Sequence, residues 1–199
     1  MSGTERIADE LLEAIELGID ADDYCAARGA GATHAEVMEA VDHQADLGKY
    51  ASALRIAITH AEYMEAIDRQ AYLRDYAQVR EAGATHAECM EVVGRKADLW
   101  GYARARKEGA THAECLEAAD RQVDLLCYAS AREAGATHAE VMEAVDRQAD
   151  LRRYGMGRFR GATHAECLEA VDRQVDLRHY ARAREAGATH AESMKAGGK

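Results

Sequence analysis

Gly31-Ala32-Thr33-His34-Ala35-Glu36 is the stretch whose reading decides the fold. Its last four residues return at Thr59, Thr85, Thr111, Thr137, Thr163 and Thr189, each 26 residues after the last. Thr33 followed by Glu36 is a capping box, in which each side chain accepts from the other residue's backbone N–H at a helix start. Tyrosine keeps the same period, at Tyr24, Tyr50, Tyr76, Tyr102, Tyr128, Tyr154 and Tyr180. Two columns in phase over most of a 199-residue chain mark a tandem repeat, and a period of about 20–50 residues marks a solenoid or related array.

Residues 33–58 serve as the type unit. A first helix runs from Thr33 to about His43, and a second from Leu47 to about Ile56 with Asp46 as its N-cap. Glycine ends the second helix at Gly31, Gly83, Gly109, Gly135, Gly161 and Gly187, and Gly18 stands where the first helix of the first unit stops. Helices of about ten residues are too short to stand alone in water, so stacking must stabilise them. At 100° per residue, His34, Met38 and Val41 share one stripe, read as the inner face of the first helix, with Glu36, Glu39 and His43 opposite. Later units replace the last of these with arginine, giving pairs such as Glu65–Arg69 and Glu143–Arg147. In the second helix Leu47, Tyr50 and Ala51 form the inner stripe, and Ala53 permits close approach.

Before Thr33 the unit is degenerate. Ile7-Ala8-Asp9-Glu10 fills the slot of the phrase, and Ser2 with Glu5 offers an earlier capping box and a longer first helix. We expect one domain over 1–199: a capping repeat at 1–32, six repeats over 33–188 and a truncated repeat at 189–199.

Alanine, glutamate and arginine are the commonest residues and proline is absent, which favours helix throughout. The net charge of −11 disfavours nucleic acid, which needs a basic face. There is neither a charged-then-apolar leader nor a long apolar run, so no signal peptide and no membrane partner are expected. Cys25, Cys89, Cys115, Cys127 and Cys167 are odd in number and form no C-x-x-C; three share one column, as small apolar residues do. A reducing, cytoplasmic setting fits them.

Seven histidines on one period invite a metal reading, but neighbouring units stand about 10 Å apart, as packed helices do. One histidine per unit cannot then place two ligands about 2 Å from one ion. We expect a histidine packed near the tyrosine column and hydrogen-bonded locally, with no metal and no cofactor. No Ser/His/Asp set or phosphate loop stands out, so no catalytic residue and no enzyme is expected.

Arginine repeats on the inner side of the second helix at Arg28, Arg80, Arg106, Arg132, Arg158 and Arg184, where it needs a partner. Leu54 is the exception. The second-helix N-cap aspartates have one exception as well, Tyr72, in the next unit. The paired loss predicts an inter-unit ladder: Arg28–Asp46, Arg80–Asp98, Arg106–Asp124, Arg132–Asp150 and Arg158–Asp176. Leu54, Ile56, Ile58 and Tyr72 would supply an apolar substitute at the missing rung.

The columns that vary are those of Gly48, Lys49, Ser52, Arg55 and Ile56, on the outer face of the second helix. Drift on a solvated face keeps it polar. Here Trp100 and Leu126 share one column in adjacent units, with Met156 and Phe159 further on. These four are the candidate contact residues for a protein or peptide partner. In the unit of Tyr154, Gly155 and Gly157 replace alanines at about 1 kcal/mol each, which reads as a bent helix or a decaying repeat.

The two-helix unit resembles the αα-solenoid class that includes TPR, HEAT and armadillo arrays, over nearly the whole chain, with a shorter repeat and without the TPR pattern of tryptophan, glycine and proline. The inter-helix link Gln44-Ala45 lacks the variable base-reading pair of TAL-effector repeats. The phrase Gly-Ala-Thr-His-Ala-Glu is similar to that of short-repeat bacterial proteins of unassigned function. The class implies an all-α solenoid, seven two-helix units and a closing helix, wound as a right-handed superhelix. The resemblance implies a fold and no activity; from the variable columns we expect a non-enzymatic scaffold that binds a protein or peptide through the outer second-helix face or the concave surface. The alternatives are head-to-tail self-assembly through terminal repeats, suggested by an uncapped last unit whose Arg184 has no following aspartate, and nucleic-acid binding by Arg152, Arg153, Arg158, Arg160, Arg178 and Arg182.

Overall fold

The computed structural model describes residues 3–198, with side chains from Arg6 onward, so the Ser2–Glu5 capping box lies outside the described residues. Fifteen helices are described: α1 (Gly3–Glu16), α2 (Ala21–Gly29), α3 (His34–Asp42), α4 (Leu47–Arg55), α5 (His60–Asp68), α6 (Leu73–Glu81), α7 (His86–Gly94), α8 (Leu99–Lys107), α9 (His112–Asp120), α10 (Leu125–Glu133), α11 (His138–Asp146), α12 (Leu151–Phe159), α13 (His164–Asp172), α14 (Leu177–Glu185) and α15 (His190–Gly197). No strand occurs among the described residues. The chain is a helical tandem-repeat protein, its helices in repeating pairs packed against neighbours. Contacts divide it into two compact units, Met1–Met90 and Glu91–Lys199.

The local chemistry of the repeat explains the elements. Thr33, Thr59, Thr111, Thr137, Thr163 and Thr189 each cap a helix with the glutamate three residues on, closing full capping boxes. Asp46, Asp98, Asp124, Asp150 and Asp176 cap the second helices, whereas Tyr72 makes no side-chain cap. Both helix types end in a left-handed residue. After the second helix it is the glycine of the repeat, or Ala57 at φ 62°; after the first it is Gln44, Gln70, Lys96, Gln122, Gln148 or Gln174 at φ 55–59°. The helix stops there without glycine because the reverse turn is satisfied: Ala45 N–H donates to Ala40 O at 2.9 Å and Gln44 N–H to Val41 O at 2.8 Å.

In unit Met1–Met90, α2 packs closely on α4, and α4 only loosely on α6. In unit Glu91–Lys199, α8, α10, α12 and α14 form a layer of successive neighbours and α15 covers α14. The tyrosine column is the core of both units, with all seven residues at most 1 % exposed. Leu47, Tyr50 and Ala51 are buried as the inner stripe requires. The first helix buries more than the expected stripe. In α3 Val37 and Ala40 are fully buried while His34, Met38 and Val41 are half-buried, and in other repeats the Met38 column is buried as well, at Met64, Met90, Met142 and Leu168. The period placed a stripe, but the small residues Val37 and Ala40 let the helix approach on their side. Cys89, Cys115 and Cys167 share the Val37 column, buried, with burial pushing their thiols up to about 12.

Two glycine sites show how tightly the second helices lie. A Cβ on Gly101 in α8 would stand 2.8 Å from Leu125 Cβ in α10. Gly155 and Gly157 are buried inside an unbroken α12, so that helix is not frayed.

Candidate functional site

The histidine column is engaged at both ring nitrogens. Tyr50 Oη lies 2.9 Å from His60 Nδ1, and His60 Nε2 lies 3.2 Å from Glu39 Oε2. The same rung recurs as Tyr76–His86–Glu65, Tyr102–His112–Glu91, Tyr128–His138–Glu117, Tyr154–His164–Glu143 and Tyr180–His190–Glu169. Facing a carboxylate, Nε2 is the nitrogen that carries the hydrogen and donates, and Nδ1 shares the hydrogen bond with the tyrosine hydroxyl. Each rung joins the first helices of two successive repeats to the second helix between them. The glutamate's other oxygen takes the arginine one turn on, as at Glu65–Arg69 and Glu143–Arg147, both 2.8 Å. The histidine bond comes first among the causes that hold Glu65, Glu91 and Glu143 below the usual carboxylate range.

A Tyr–His–Glu chain has the outline of a proton relay, but its chemistry runs the other way. Burial raises the pKa of Tyr76, Tyr128 and Tyr154, and of Tyr50 and Tyr180 to about 12, so these hydroxyls stay protonated. The rungs are structural polar ladders. Their glutamates went unrecognised in the sequence, although a signal was there. Glutamate holds that column from Glu13 to Glu169, and in each case a histidine follows 21 residues on.

The arginine ladder points the opposite way from the one expected. Arg80 reaches Glu62 at 3.1 Å, Arg158 reaches Glu140 at 3.4 Å and Arg28 reaches Glu10 at 2.9 Å. Each partner is the glutamate 18 residues before, in the same repeat, and not the aspartate 18 residues after. Geometry gives the reason. Arg28 closes α2 whereas Asp46 opens α4, and repeated second helices run the same way, so those ends lie about 12 Å apart at 1.5 Å per residue. The antiparallel first helix instead begins beside the arginine. Asp46, Asp98, Asp124, Asp150 and Asp176 are spent on capping. At the missing rung Ile58 is buried, but Tyr72 is 78 % exposed and supplies no apolar substitute.

The four candidate contact residues all lie in unit Glu91–Lys199. Trp100 is 41 % exposed, Met156 37 % and Phe159 70 %, and Leu126 is half-buried. They follow one register: Trp100, Arg104 and Lys107 on α8; Leu126, Ser130 and Glu133 on α10; Arg152, Met156 and Phe159 on α12. Spacing of four and three residues puts each trio on one helix face. Arg104 lies over the Trp100 ring at 5.4 Å and reaches Glu133 on α10 at 2.7 Å. Of the C-terminal arginines, Arg153, Arg158 and Arg160 pair with Asp150, Glu140 and Glu185. Arg152, Arg178 and Arg182 make no ion pair among the described residues.

The last repeat is closed. Leu177, Tyr180 and Ala181 are as buried as their counterparts in inner repeats, α15 lies on α14, and Gly197 O accepts from Asp176 N–H. Arg184 bonds Gly161 O at 3.0 Å and lies 3.7 Å from Glu166. At the other end Ile7, Leu12, Ile15 and Leu17 of the first repeat are exposed. No helix among the described residues is long and apolar enough to cross a membrane. No protein-family model, curated protein or solved structure matches the chain.

Proposed function

We propose that the chain is a non-catalytic binding scaffold that takes a protein or peptide segment against the outer face of α8, α10 and α12. One observation carries the reading. Phe159, 70 % exposed, stands in a column otherwise held by Arg55, Glu81, Lys107, Glu133 and Glu185 apart from Gly29, and Met156 lies one turn before it. An aromatic side chain left in water where its repeats carry charge costs solubility and gains nothing for the fold. Trp100 and Leu126 extend the apolar stripe across two more helices. Arg152, Arg178 and Arg182 add unpaired positive charge nearby, which suits a segment with apolar residues on one side and acids on the other.

The test compares Trp100→Ala/Leu126→Ala and Met156→Ala/Phe159→Ala with wild type in affinity capture, with circular dichroism as the fold control. Both double variants should keep their helix content and lose the captured partner at least tenfold. Equal capture by all three proteins would sink the reading. A second reading, self-association, rests on the exposed Ile7, Leu12, Ile15 and Leu17. It requires a mass that rises with concentration in light scattering and falls back in Leu12→Lys/Ile15→Lys.

A further inference from the structure

One residue breaks the interior pattern of unit Met1–Met90. The fully buried first-helix column reads Val37, Cys89, Cys115, Val141, Cys167 and Ser193, all small, but Tyr63 in α5. Its ring lies against Tyr50 with centroids 5.0 Å apart. A phenol where the later repeats hold a thiol, an isopropyl group or the hydroxymethyl of Ser193, and the first repeat a half-buried Leu11, takes more room between the second helices on either side of it. Accordingly α4 and α6 pack loosely, and Leu73 and Ala77 are half-buried, while Leu47, Leu99, Ala51 and Ala103 in the same columns are buried. Between α4 and α6 lies a cleft of about 380 Å³.

The walls are apolar: Ala53, Ile56, Leu73, Tyr76 and Ala77, with Tyr63 at the base. Three of the other polar groups at the cleft are engaged, while Arg74 and Glu81 stand at its rim. Tyr76 Oη bonds His86, Ser52 Oγ donates to Gly48 O, and Lys49 pairs with Asp46 at 3.0 Å. The Tyr63 hydroxyl is different, being buried and without any hydrogen-bond partner. Native proteins rarely leave such a group unpaired, because its lost hydration is uncompensated. An oxygen brought down the cleft against it gains a hydrogen bond without displacing one, and the loosely packed α4–α6 seam is where the structure yields to admit it. The rim carries Asp46 and Glu81 against Lys49 and Arg74, one base for each acid, so it does not select a charged ligand.

We propose that the α4–α6 cleft binds a small uncharged aromatic or alicyclic molecule carrying one hydrogen-bonding oxygen, of the phenol or ketone class, with its ring between Ile56, Leu73 and Ala77 and its oxygen on the Tyr63 hydroxyl. The cleft volume lies at the lower end of small-molecule sites. The site makes no use of the outer stripe of α8, α10 and α12, so it stands or falls independently of the scaffold reading.

Calorimetric titration of the full chain at pH 7 with 2-naphthol, naphthalene and 2-naphthoate tests it. 2-Naphthol should bind one to one, about tenfold tighter than naphthalene, as one hydrogen bond to an otherwise unpaired group allows, and 2-naphthoate more weakly than 2-naphthol. Tyr63→Phe should erase the naphthol advantage and leave naphthalene unchanged. Tyr63→Val, which restores the column, should close the cleft and abolish both; Ala77→Leu fills the cleft without touching the buried column and should do the same if Tyr63→Val does not fold. Absence of saturable 2-naphthol binding, undiminished binding to Tyr63→Phe, or persistence of binding in Ala77→Leu each overturns the proposal.

Discussion

The seam between α4 and α6 and the seam between α8 and α10 occupy the same place in two repeats, and they have opposite character. Beneath the first lies Tyr63, and beneath the second Cys115, both fully buried. Asp124 caps α10 through two backbone N–H groups, whereas Tyr72 at the head of α6 caps nothing and is exposed. Leu125 and Ala129 are buried and only glycine fits at position 101; Leu73 and Ala77 are half-exposed. Both seams keep the Tyr–His–Glu rung, with Tyr–His distances of 2.9 and 2.8 Å at Tyr50 and Tyr76 and 2.9 and 3.0 Å at Tyr102 and Tyr128. The two seams therefore share the polar rung and differ in the side chain beneath them, a phenol under the loosely packed seam and a thiol under the closed one.

The largest expected effect treats the seams alike. Burial first, and then nearby carboxylates at Tyr50, raises the tyrosine pKa to about 12 there, and the pKa of Tyr76 and Tyr128 is likewise raised, chiefly by burial. A group with a raised folded pKa contributes stability that is fully present below the ordinary tyrosine value of about 10 and is lost as pH rises through the folded one. Helix content followed from pH 8 to 12.5 should collapse in one cooperative step above pH 10; a plateau with half the signal would show that the seams do not share this limit.

The next effect separates them. Ala129→Leu overpacks a closed seam and should cost about 2–3 kcal/mol, while Ala77→Leu enters open space and should cost under about 0.5 kcal/mol. Urea midpoints that shift equally would mean the α4–α6 seam is not open in solution. Hydroxyl deletion should invert the order of the two regions. Tyr128→Phe removes the partner of His138 and should cost about 1 kcal/mol, whereas Tyr63→Phe removes an unpaired hydroxyl and should be neutral or stabilising. A loss of about 1 kcal/mol at Tyr63→Phe would place a tightly held water on that hydroxyl. The smallest pair concerns the caps: Asp124→Ala should lose about 1 kcal/mol and Tyr72→Asp should gain up to that amount, read from thermal melts.

Much of this was legible in the chain. Thr33 with Glu36, Asp46 and Gly31 are local signals whose partners lie within a few residues, so helix number, boundaries and caps follow from spacing alone. The four outer residues were named from their columns, where Phe159 stands out against charged counterparts, and three of them are exposed. The arginine partners were misread because Leu54 and Tyr72 are lost together. The two columns are not salt-bridge partners, since Arg80 takes Glu62, and Glu36 persists although no arginine follows it in that repeat. Spacing of 18 residues fits two directions equally well, and only the antiparallel packing of the two helices chooses between them.

By itself, then, the sequence determined the period, the helices and their ends, and the tyrosine core, because a capping box, a left-handed turn and an apolar stripe each act within one or two turns of helix. The tertiary structure alone decided which face of the first helix is innermost, that His60 bridges Tyr50 to Glu39, that Arg80 turns back to Glu62, and that Tyr63 opens a cleft above it. Those are contacts between residues 10 to 21 positions apart on different helices. They depend on how closely two helices approach, and that distance is set by the volumes of the side chains between them.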